Sequence, residues 1–211
     1  TCALPICLIV KDKGVQAVYG PKADVLKSDI EDLLQSGADI PEPTVEATNK
    51  NKKNEEKHVL GIEKELFTVA TGEVIALKDV NDPVFSQKMM GDGFAVIPAT
   101  GEVTAPLSGK IVSVFPTKHA IGMQTAEGAE VLIHMGLDTV QMSQPAFEIL
   151  VSEGQEVVAG TTIAQMDLDA IKNEGKETTI IVVFTDDKVN GLTINKLGDT
   201  ERGTVIGKIN L

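Results

Sequence analysis

From residue 60 to the C-terminus, short apolar runs alternate with turn residues at intervals of about ten residues, a spacing typical of β-sandwiches and barrels. Glycine, proline and aspartate separate the runs, and few windows show the 3.6-residue period of a helix. Only two short segments, 82–87 and 168–173, are candidates for helices. We therefore predict an all-β domain, an antiparallel β-sandwich or barrel, over residues 59–211.

The composition agrees with a globular β domain that has an aliphatic core, since 42% of the 211 residues are hydrophobic but only 3% are aromatic. The net charge of −12 argues against binding to nucleic acid or to an anionic membrane surface, either of which needs a basic patch. No run approaches the roughly 20 apolar residues of a membrane span, and no signal peptide is recognisable, so we expect a cytoplasmic protein. Cys2 and Cys7 have no partners for a zinc site downstream, and we expect free thiols.

The first 58 residues differ in composition from the rest of the chain. Residues 8–36 predict a short strand pair and one amphipathic helix, which together form a small α+β segment. Residues 37–58 are rich in proline, asparagine and charge, which predicts a flexible linker. Residues 1–7 match nothing around them and lack an initiator methionine, so we expect a fragment start or a non-native segment.

Two of the three histidines, His119 and His134, lie in apolar, strand-like runs that are joined by one short polar turn. Side chains alternate between the faces of a strand, so the loop length decides whether the two rings meet. With an even-numbered loop, the histidines would be opposite or diagonal partners with Cβ atoms roughly 5 to 8 Å apart. An odd-numbered loop would place them on opposite faces. We expect the even-numbered loop.

A facing pair of imidazoles is suited to phosphoryl transfer. One ring attacks phosphorus while the other donates a hydrogen bond to the phosphoryl oxygens. Thr117 lies two residues before His119, where its hydroxyl could fix the tautomer of that ring. The alternative is a metal-binding or zinc-hydrolase module using the same two histidines, for which Asp138 or a glutamate would have to complete the ligand set. A pair of half-buried structural histidines is the remaining interpretation.

Four segments resemble the glucose-type IIA domain of the bacterial phosphoenolpyruvate-dependent sugar phosphotransferase system. They occur in the order and at the spacing of that family, and they are residues 82–94, 105–111, 115–121 and 131–139. In the family the second histidine carries the phosphoryl group and the first assists it, which implies these roles for His134 and His119. The threonine two residues before the first histidine corresponds to Thr117. The resemblance implies a phosphotransferase component that needs no metal or other cofactor.

The resemblance also implies partners. The domain would accept a phosphoryl group from phospho-HPr and pass it to the cysteine of a IIB domain in a glucose-type sugar permease. Gly136 follows the nucleophile closely, and we interpret it as leaving room for the incoming phosphoryl group. The docking face for both partners would comprise Asp82, Val84, Phe85, Met89, Met90, Phe115, Leu132, Gly136 and Asp138. For the two aspartates, pairing with a partner's arginine and local hydrogen bonding remain equally open.

Residues 15–24 resemble the C-terminal end of the IIB domain that precedes IIA in fused permeases. The resemblance implies that residues 1–36 are a IIB remnant without the catalytic cysteine motif, followed by the linker 37–58 and the IIA domain 59–211. The chain would then be a fragment of a fused IICBA permease. Its membrane IIC domain, which sets the sugar specificity, would be a further partner.

Overall fold

The structure is a computed structural model that describes residues 7–11, 14–18, 62–186 and 188–211. The chain separates into two compact units, Thr1–Val59 and Leu60–Leu211. In the first unit, strands β1 (Cys7–Lys11) and β2 (Gly14–Val18) form an antiparallel hairpin, in agreement with the strand pair predicted there. The amphipathic helix predicted before Gly37 and the linker 37–58 lie outside the described residues.

The regular secondary structure of the second unit is mostly β-strand. Its strands are β3 (Glu63–Phe67), β4 (Gly72–Ala76), β5 (Asp92–Pro98), β6 (Glu102–Thr104), β7 (Gly109–Val114), β8 (Ala120–Gln124), β9 (Glu130–Leu137), β10 (Phe147–Ile149), β11 (Glu156–Val157), β12 (Thr162–Met166), β13 (Glu177–Phe184), β14 (Gly191–Ile194), β15 (Gly198–Thr200) and β16 (Val205–Asn210). Two short α-helices, α1 (Pro83–Ser86) and α2 (Leu168–Asn173), occupy the two segments predicted as helical. Two 3-10 helices, Leu77–Asp79 and Thr139–Gln141, complete the described elements.

All strand pairs in this unit are antiparallel, and they form three sheets. The large sheet has the order β11-β7-β8-β9-β13-β5-β4-β15, and the two small sheets have the orders β10-β12-β6 and β14-β16-β3. The described strands make a sandwich-like arrangement rather than a closed barrel. The predicted all-β antiparallel sandwich is therefore confirmed. In the described part of the chain, no helix has the length and hydropathy required to cross a membrane.

The main core is aliphatic and combines one face of the large sheet with residues of both small sheets. Strand β9 shows how the sequence sets this face. Val131, Ile133 and Met135 are at most 2% exposed and belong to the main core, whereas the intervening Leu132 and His134 are only partly buried. Because alternate side chains of a strand point to opposite faces, Leu132 and His134 lie on the other face of the large sheet.

This outer face carries a second, smaller apolar cluster. On β13, Ile181 and Val183 belong to it, while Ile180 and Val182 belong to the main core, as strand alternation requires. The cluster is covered by residues from the 3-10 helix Leu77–Asp79 and from α1. Its buried members are Leu77, Val80, Phe85, Ala95, Leu137, Ile181 and Val183. The histidine strand therefore has packed apolar material on both faces.

Candidate functional site

The loop between β8 and β9 contains five residues, because Gln124 pairs with Glu130 and Ala120 pairs with His134. The prediction of an even-numbered loop is therefore wrong. If β8 continued regularly through His119, strand alternation would place that side chain on the face opposite to His134. Loop length alone would separate the two histidines.

A turn precedes His119 at the start of β8. Lys118 has a φ of 60°, in the left-handed region, and its N–H donates to the carbonyl of Phe115 at 2.7 Å. The backbone ladder with β9 continues to His119, whose carbonyl accepts from the N–H of Met135 at 2.7 Å. The ring centroids of His119 and His134 are 4.9 Å apart, with an angle of 72° between the planes. The expected adjacency is therefore present although the loop is odd-numbered.

His134 is held in one protonation state by its surroundings. Its Nδ1 lies 2.8 Å from the carbonyl oxygen of Gly136. Because a carbonyl can only accept, Nδ1 carries the proton and Nε2 keeps its lone pair. The pKa of His134 is lowered to about 4, chiefly by burial and also by the neighbouring His119, while the hydrogen bond to Gly136 and the charge of Asp82 act in the opposite direction. At neutral pH this imidazole is uncharged and presents an unprotonated Nε2.

His119 is more enclosed, with only 6% of its surface exposed. Its Nδ1 lies 2.5 Å from Thr117 Oγ1, so the predicted contact between this threonine and the first histidine is present. The ring of Phe115 packs edge-on against it, with centroids 5.5 Å apart. Burial lowers the pKa of His119, and therefore the second imidazole is also neutral at pH 7.

The two aspartates have different surroundings. Asp82 is the N-cap of α1, and its Oδ1 accepts hydrogen bonds from the N–H groups of Val84 at 2.8 Å and Phe85 at 3.1 Å. Together with proline at the first helical position, this cap is a strong signal for the start of a helix. It favours local hydrogen bonding over pairing with a partner's arginine as the role of Asp82. Asp138 is exposed, has a φ of 57°, and makes no capping bond to the 3-10 helix that follows.

The apolar residues expected at a docking face are not equally accessible. Val84 is 39% exposed, and four others are partly buried, namely Met89, Met90, Phe115 and Leu132. Phe85 is only 8% exposed and packs in the second cluster, with its ring centroid 5.3 Å from that of His134. Its ring lies beside the histidine and offers little surface to a partner, and its role as a docking residue stays a prediction.

The interpretation of Gly136 also changes. A Cβ at this position would clash with Thr139 Cγ2 and lie 2.9 Å from the carbonyl oxygen of Glu177, so the space beside the glycine is filled by protein. Its φ of 79° lies in the left-handed region, which is a second reason for glycine here. Sequence reasoning missed Thr139 and Glu177. A glycine inside a strand pattern is a bulge signal, and it could have drawn attention to the residues around it.

A metal centre needs more ligands than the two histidines. Over residues 62–186 and 188–211 and the two N-terminal strands, no group of three or more histidine, cysteine, aspartate or glutamate side chains is placed to hold a metal ion. A catalytic zinc takes three protein ligands as a rule. The carboxylate whose charge raises the pKa of His134 is that of Asp82, and this carboxylate already accepts the capping hydrogen bonds at the start of α1. The described residues therefore give no support to the metal-binding alternative.

Comparison with known proteins connects this geometry to a family. Residues 64–189 match the family described as the phosphoenolpyruvate-dependent sugar phosphotransferase system, EIIA 1. The glucose permease IIA of Mycoplasma capricolum has a similar fold, with a TM-score of 0.67 and 38% identity over 71% of this chain and 97% of that one. This structural relative therefore corresponds to the second unit almost in its entirety.

Longer relatives match nearly the whole chain. The glucose-specific EIICBA component of Streptococcus pneumoniae is 48% identical over 205 residues, which is 97% of this chain, and that of Staphylococcus carnosus is 40% identical over 90% of it. A glucoside-specific EIICBA component of Staphylococcus carnosus is 37% identical over 93% of it. The chain spans 28% of the length of each of these relatives. By its fold, its paired histidines and the match of most of its second unit, the chain belongs to the EIIA 1 family of phosphotransferase components in the phosphoenolpyruvate-dependent sugar phosphotransferase system.

Proposed function

We propose that this chain is a phosphoryl relay in sugar uptake, in which His134 accepts a phosphoryl group from phospho-HPr and passes it to the cysteine of a IIB domain. The observation that carries this proposal is the hydrogen bond from His134 Nδ1 to the Gly136 carbonyl, because it leaves Nε2 as an unprotonated nucleophile. The low pKa of His134 keeps the nucleophile uncharged over the whole neutral range.

In the first transfer, the lone pair of Nε2 forms the new nitrogen–phosphorus bond while the bond between phosphorus and the donor histidine breaks. The electron pair of that bond leaves with the donor imidazole. Positive charge develops on the His134 ring, and the Gly136 carbonyl at 2.8 Å stabilises it through the Nδ1 proton. In the second transfer, a thiolate of the IIB domain attacks phosphorus, and the bond to Nε2 breaks. Since both donor groups are already activated, the protein has to supply only position and electrostatic stabilisation.

His119 and Thr117 are proposed to assist both transfers. The Thr117 hydroxyl donates to His119 Nδ1 across 2.5 Å, which leaves the proton of the neutral ring on Nε2. With ring centroids 4.9 Å apart, that N–H can donate to an oxygen of the phosphoryl group on His134. Phe85 and Phe115 each pack against one of the two rings and limit the access of water, which favours transfer over hydrolysis.

The surface around the histidines is proposed as a common docking face for HPr and IIB. The exposed Val84 and the partly buried methionines give it an apolar part that can adapt to two partners. The exposed carboxylate of Asp138 adds a charge with which a basic group of a partner can pair. Gly136 contributes through its backbone carbonyl, and Phe85 contributes as the support of His134.

The wider context is likewise a proposal. The EIICBA relatives carry fused components, which supports a IIB remnant at 1–36, a linker at 37–58 and the IIA domain at 59–211. In such a permease the IIC membrane domain would be a partner, and the chain would lie at the cytoplasmic face of the membrane. Two of the relatives are named glucose-specific, which favours a glucose-type sugar as the final acceptor.

Phosphorylation by purified components tests this function. The chain is incubated with phosphoenolpyruvate, enzyme I and HPr, and its intact mass is compared with that of a sample lacking HPr. The expected result is one acid-labile phosphoryl group that depends on HPr. His134→Ala should accept none, and His119→Ala should accept the group but transfer it poorly to a IIB domain.

His58→Ala is the matched control, because it removes the third histidine of the chain, which lies in the proposed linker. It should behave as the unaltered chain does. Labelling of His134→Ala at the normal rate would show that another residue is the acceptor. The absence of any labelling, with active partners, would refute the relay, and zinc content would then test the metal-binding alternative.

A further inference from the structure

A break in strand pairing lies next to the nucleophile. Met135 on β9 pairs with Ile180 on β13, and Leu137 pairs with Glu177, so two residues of β13 face the single residue Gly136. This is the arrangement of a β-bulge on β13, which bends that strand locally next to β9. Gly136, the residue of β9 opposite the bulge, is the one whose carbonyl accepts the hydrogen bond from His134.

Thr139 contacts this part of β9 in two ways. The residue is 1% exposed, and its hydroxyl donates to the carbonyl oxygen of Met135 at 2.8 Å. Its methyl group, Cγ2, fills the space that a Cβ at Gly136 would need. One side chain therefore holds Met135 by a hydrogen bond and packs against Gly136, the residue opposite the bulge.

The backbone of this segment would not be stable without such support. Gly136 has a φ of 79° and Asp138 has a φ of 57°, so two residues out of three adopt the left-handed conformation. For aspartate this conformation is uncommon and costs free energy, and it persists where neighbouring contacts compensate. Asp138 makes no capping bond with its own side chain. The hydrogen bond of Thr139 to Met135 is one side-chain contact that offsets this cost, and the hydrogen bond of His134 to Gly136 is another.

We propose that Thr139 is a positioning residue that, through its hydroxyl, holds the Gly136 carbonyl in place and thereby keeps the proton of His134 on Nδ1. The inference rests on the proposed function in so far as His134 is the phosphoryl acceptor, and it assigns a role to a residue outside the two histidines and their threonine. Without the hydroxyl, this part of β9 relaxes, the carbonyl moves away from Nδ1, and part of the molecules carry the proton on Nε2. In those molecules the lone pair is on Nδ1, and Nε2 has none to offer to phosphorus.

The tautomer of His134 can be measured directly in the unphosphorylated chain by nitrogen-15 NMR of the imidazole, without any partner. Thr139→Val removes the hydroxyl and keeps both branches of the side chain, whereas Thr139→Ser keeps the hydroxyl. For Thr139→Val, we expect the ratio of the Nδ1–H to the Nε2–H form to fall by about threefold to tenfold, the range that corresponds to one net hydrogen bond. The initial rate of phosphorylation by phospho-HPr should fall with it. Thr139→Ser should keep the tautomer of the unaltered chain.

Thr104→Val is the matched control. Thr104 is also 1% exposed, and its hydroxyl donates to a backbone carbonyl, that of Val69, at 3.2 Å, in a part of the sandwich that contains none of the site residues. Loss of this hydroxyl should destabilise the fold to a similar degree and leave both the tautomer and the rate unchanged. A merely structural role of Thr139 would make Thr139→Val behave in the same way as this control.

The outcomes separate the two proposals. A folded Thr139→Val variant with the tautomer of the unaltered chain would overturn the role of Thr139 and leave the relay intact. A Thr139→Ser variant that loses the Nδ1–H form would overturn it too, because the hydroxyl would not be the group responsible. If Thr139→Val does not fold, the tautomer of His134 in Thr139→Ser still tests the role of the hydroxyl. Failure of the unaltered chain to accept a phosphoryl group would refute the relay, while the tautomer measurements would still report on Thr139.

Discussion

Acidification should destabilise this protein through His134. The pKa of this residue is lowered from 6.5 to about 4 in the folded protein, mainly by burial. Between these two values the unfolded chain binds a proton at His134 and the folded protein does not, so protons favour the unfolded state. The contribution of His134 to stability is therefore fully present above pH 6.5 and is lost as the pH falls from 6.5 towards 4.

The structure sets the size of this effect. The difference between 6.5 and about 4 corresponds to about 3 kcal/mol in total, at 1.36 kcal/mol for each pKa unit. Between pH values of about 7.5 and 5, about 2 kcal/mol of it should be lost. In a urea titration this loss lowers the midpoint by roughly 1 M, if the slope is about 2 kcal/mol per molar urea.

His134→Asn isolates the contribution. The asparagine amide can occupy the place of Nδ1 and donate to the Gly136 carbonyl, but it does not titrate. Urea unfolding of both proteins is measured at the two pH values, and the acid-induced loss in the variant is subtracted from that in the unaltered chain. Carboxylates away from the site are present in both proteins and cancel to first order, whereas His119 contacts position 134, so its titration is followed separately by NMR in both proteins.

Equal acid-induced losses in the two proteins would refute the reasoning, because His134 would then titrate alike in the folded and unfolded states. A larger acid-induced loss of stability in His134→Asn would mean that His134 stabilises the fold at low pH, which would require its pKa to be raised in the folded protein. A direct NMR titration of the His134 ring gives the same information independently, and its midpoint should lie near pH 4.

Three further substitutions test the surroundings of the nucleophile. Gly136→Ala should lower the free energy of unfolding by at least about 2 kcal/mol, because left-handed backbone costs about 1–2 kcal/mol and the added methyl group also clashes. Gly154→Ala is the control, because Gly154 also has a left-handed backbone but a Cβ there would have nothing within 4 Å. In the same urea titration it should show the backbone cost alone. An equal loss of unfolding free energy in both variants would contradict the clash at Gly136. Phe85→Ala should cost about 3 kcal/mol and raise the pKa of His134 by admitting water, as measured by NMR titration. Asp82→Ala should cost about 1 kcal/mol of stability, because it removes a helix cap. It should also lower the pKa of His134 further, because it removes a nearby negative charge. A rise in the pKa of His134 in this variant would contradict the prediction.

The strands could be predicted from the sequence because their signals are local. The short apolar runs predicted from residue 60 onwards are strands, and both short helices lie within the segments predicted for them. The order of strands within the large sheet had no local signal. Strand β13 lies between β9 and β5, which come from separate parts of the chain, and such pairing is decided by long-range packing. The class of fold was therefore predictable, whereas its topology was not.

The site was predictable in its members but not in its geometry. His119 and His134 were expected to meet because of an even-numbered loop, and they meet although the loop is odd-numbered, next to a turn in which Lys118 adopts a left-handed backbone. Lysine gives no sequence signal for that conformation, which few residues other than glycine adopt. The role of Phe85 was likewise not predictable, because its hydrophobicity fits both an exposed docking residue and a buried residue that packs against His134. Only the packing of α1 against the sheet distinguishes the two.

The place of β9 within the large sheet has a consequence for motion. This strand has a hydrogen-bonded neighbour on each side, β8 and β13, so exposing its amides to exchange with solvent requires two ladders to open together. Such opening has a free energy close to that of unfolding the whole unit. The four-residue helix α1 is secured by its cap and by the side chain of Phe85, and it can open at a far lower cost. Local opening is therefore expected in α1 well before it occurs in the strand that carries His134.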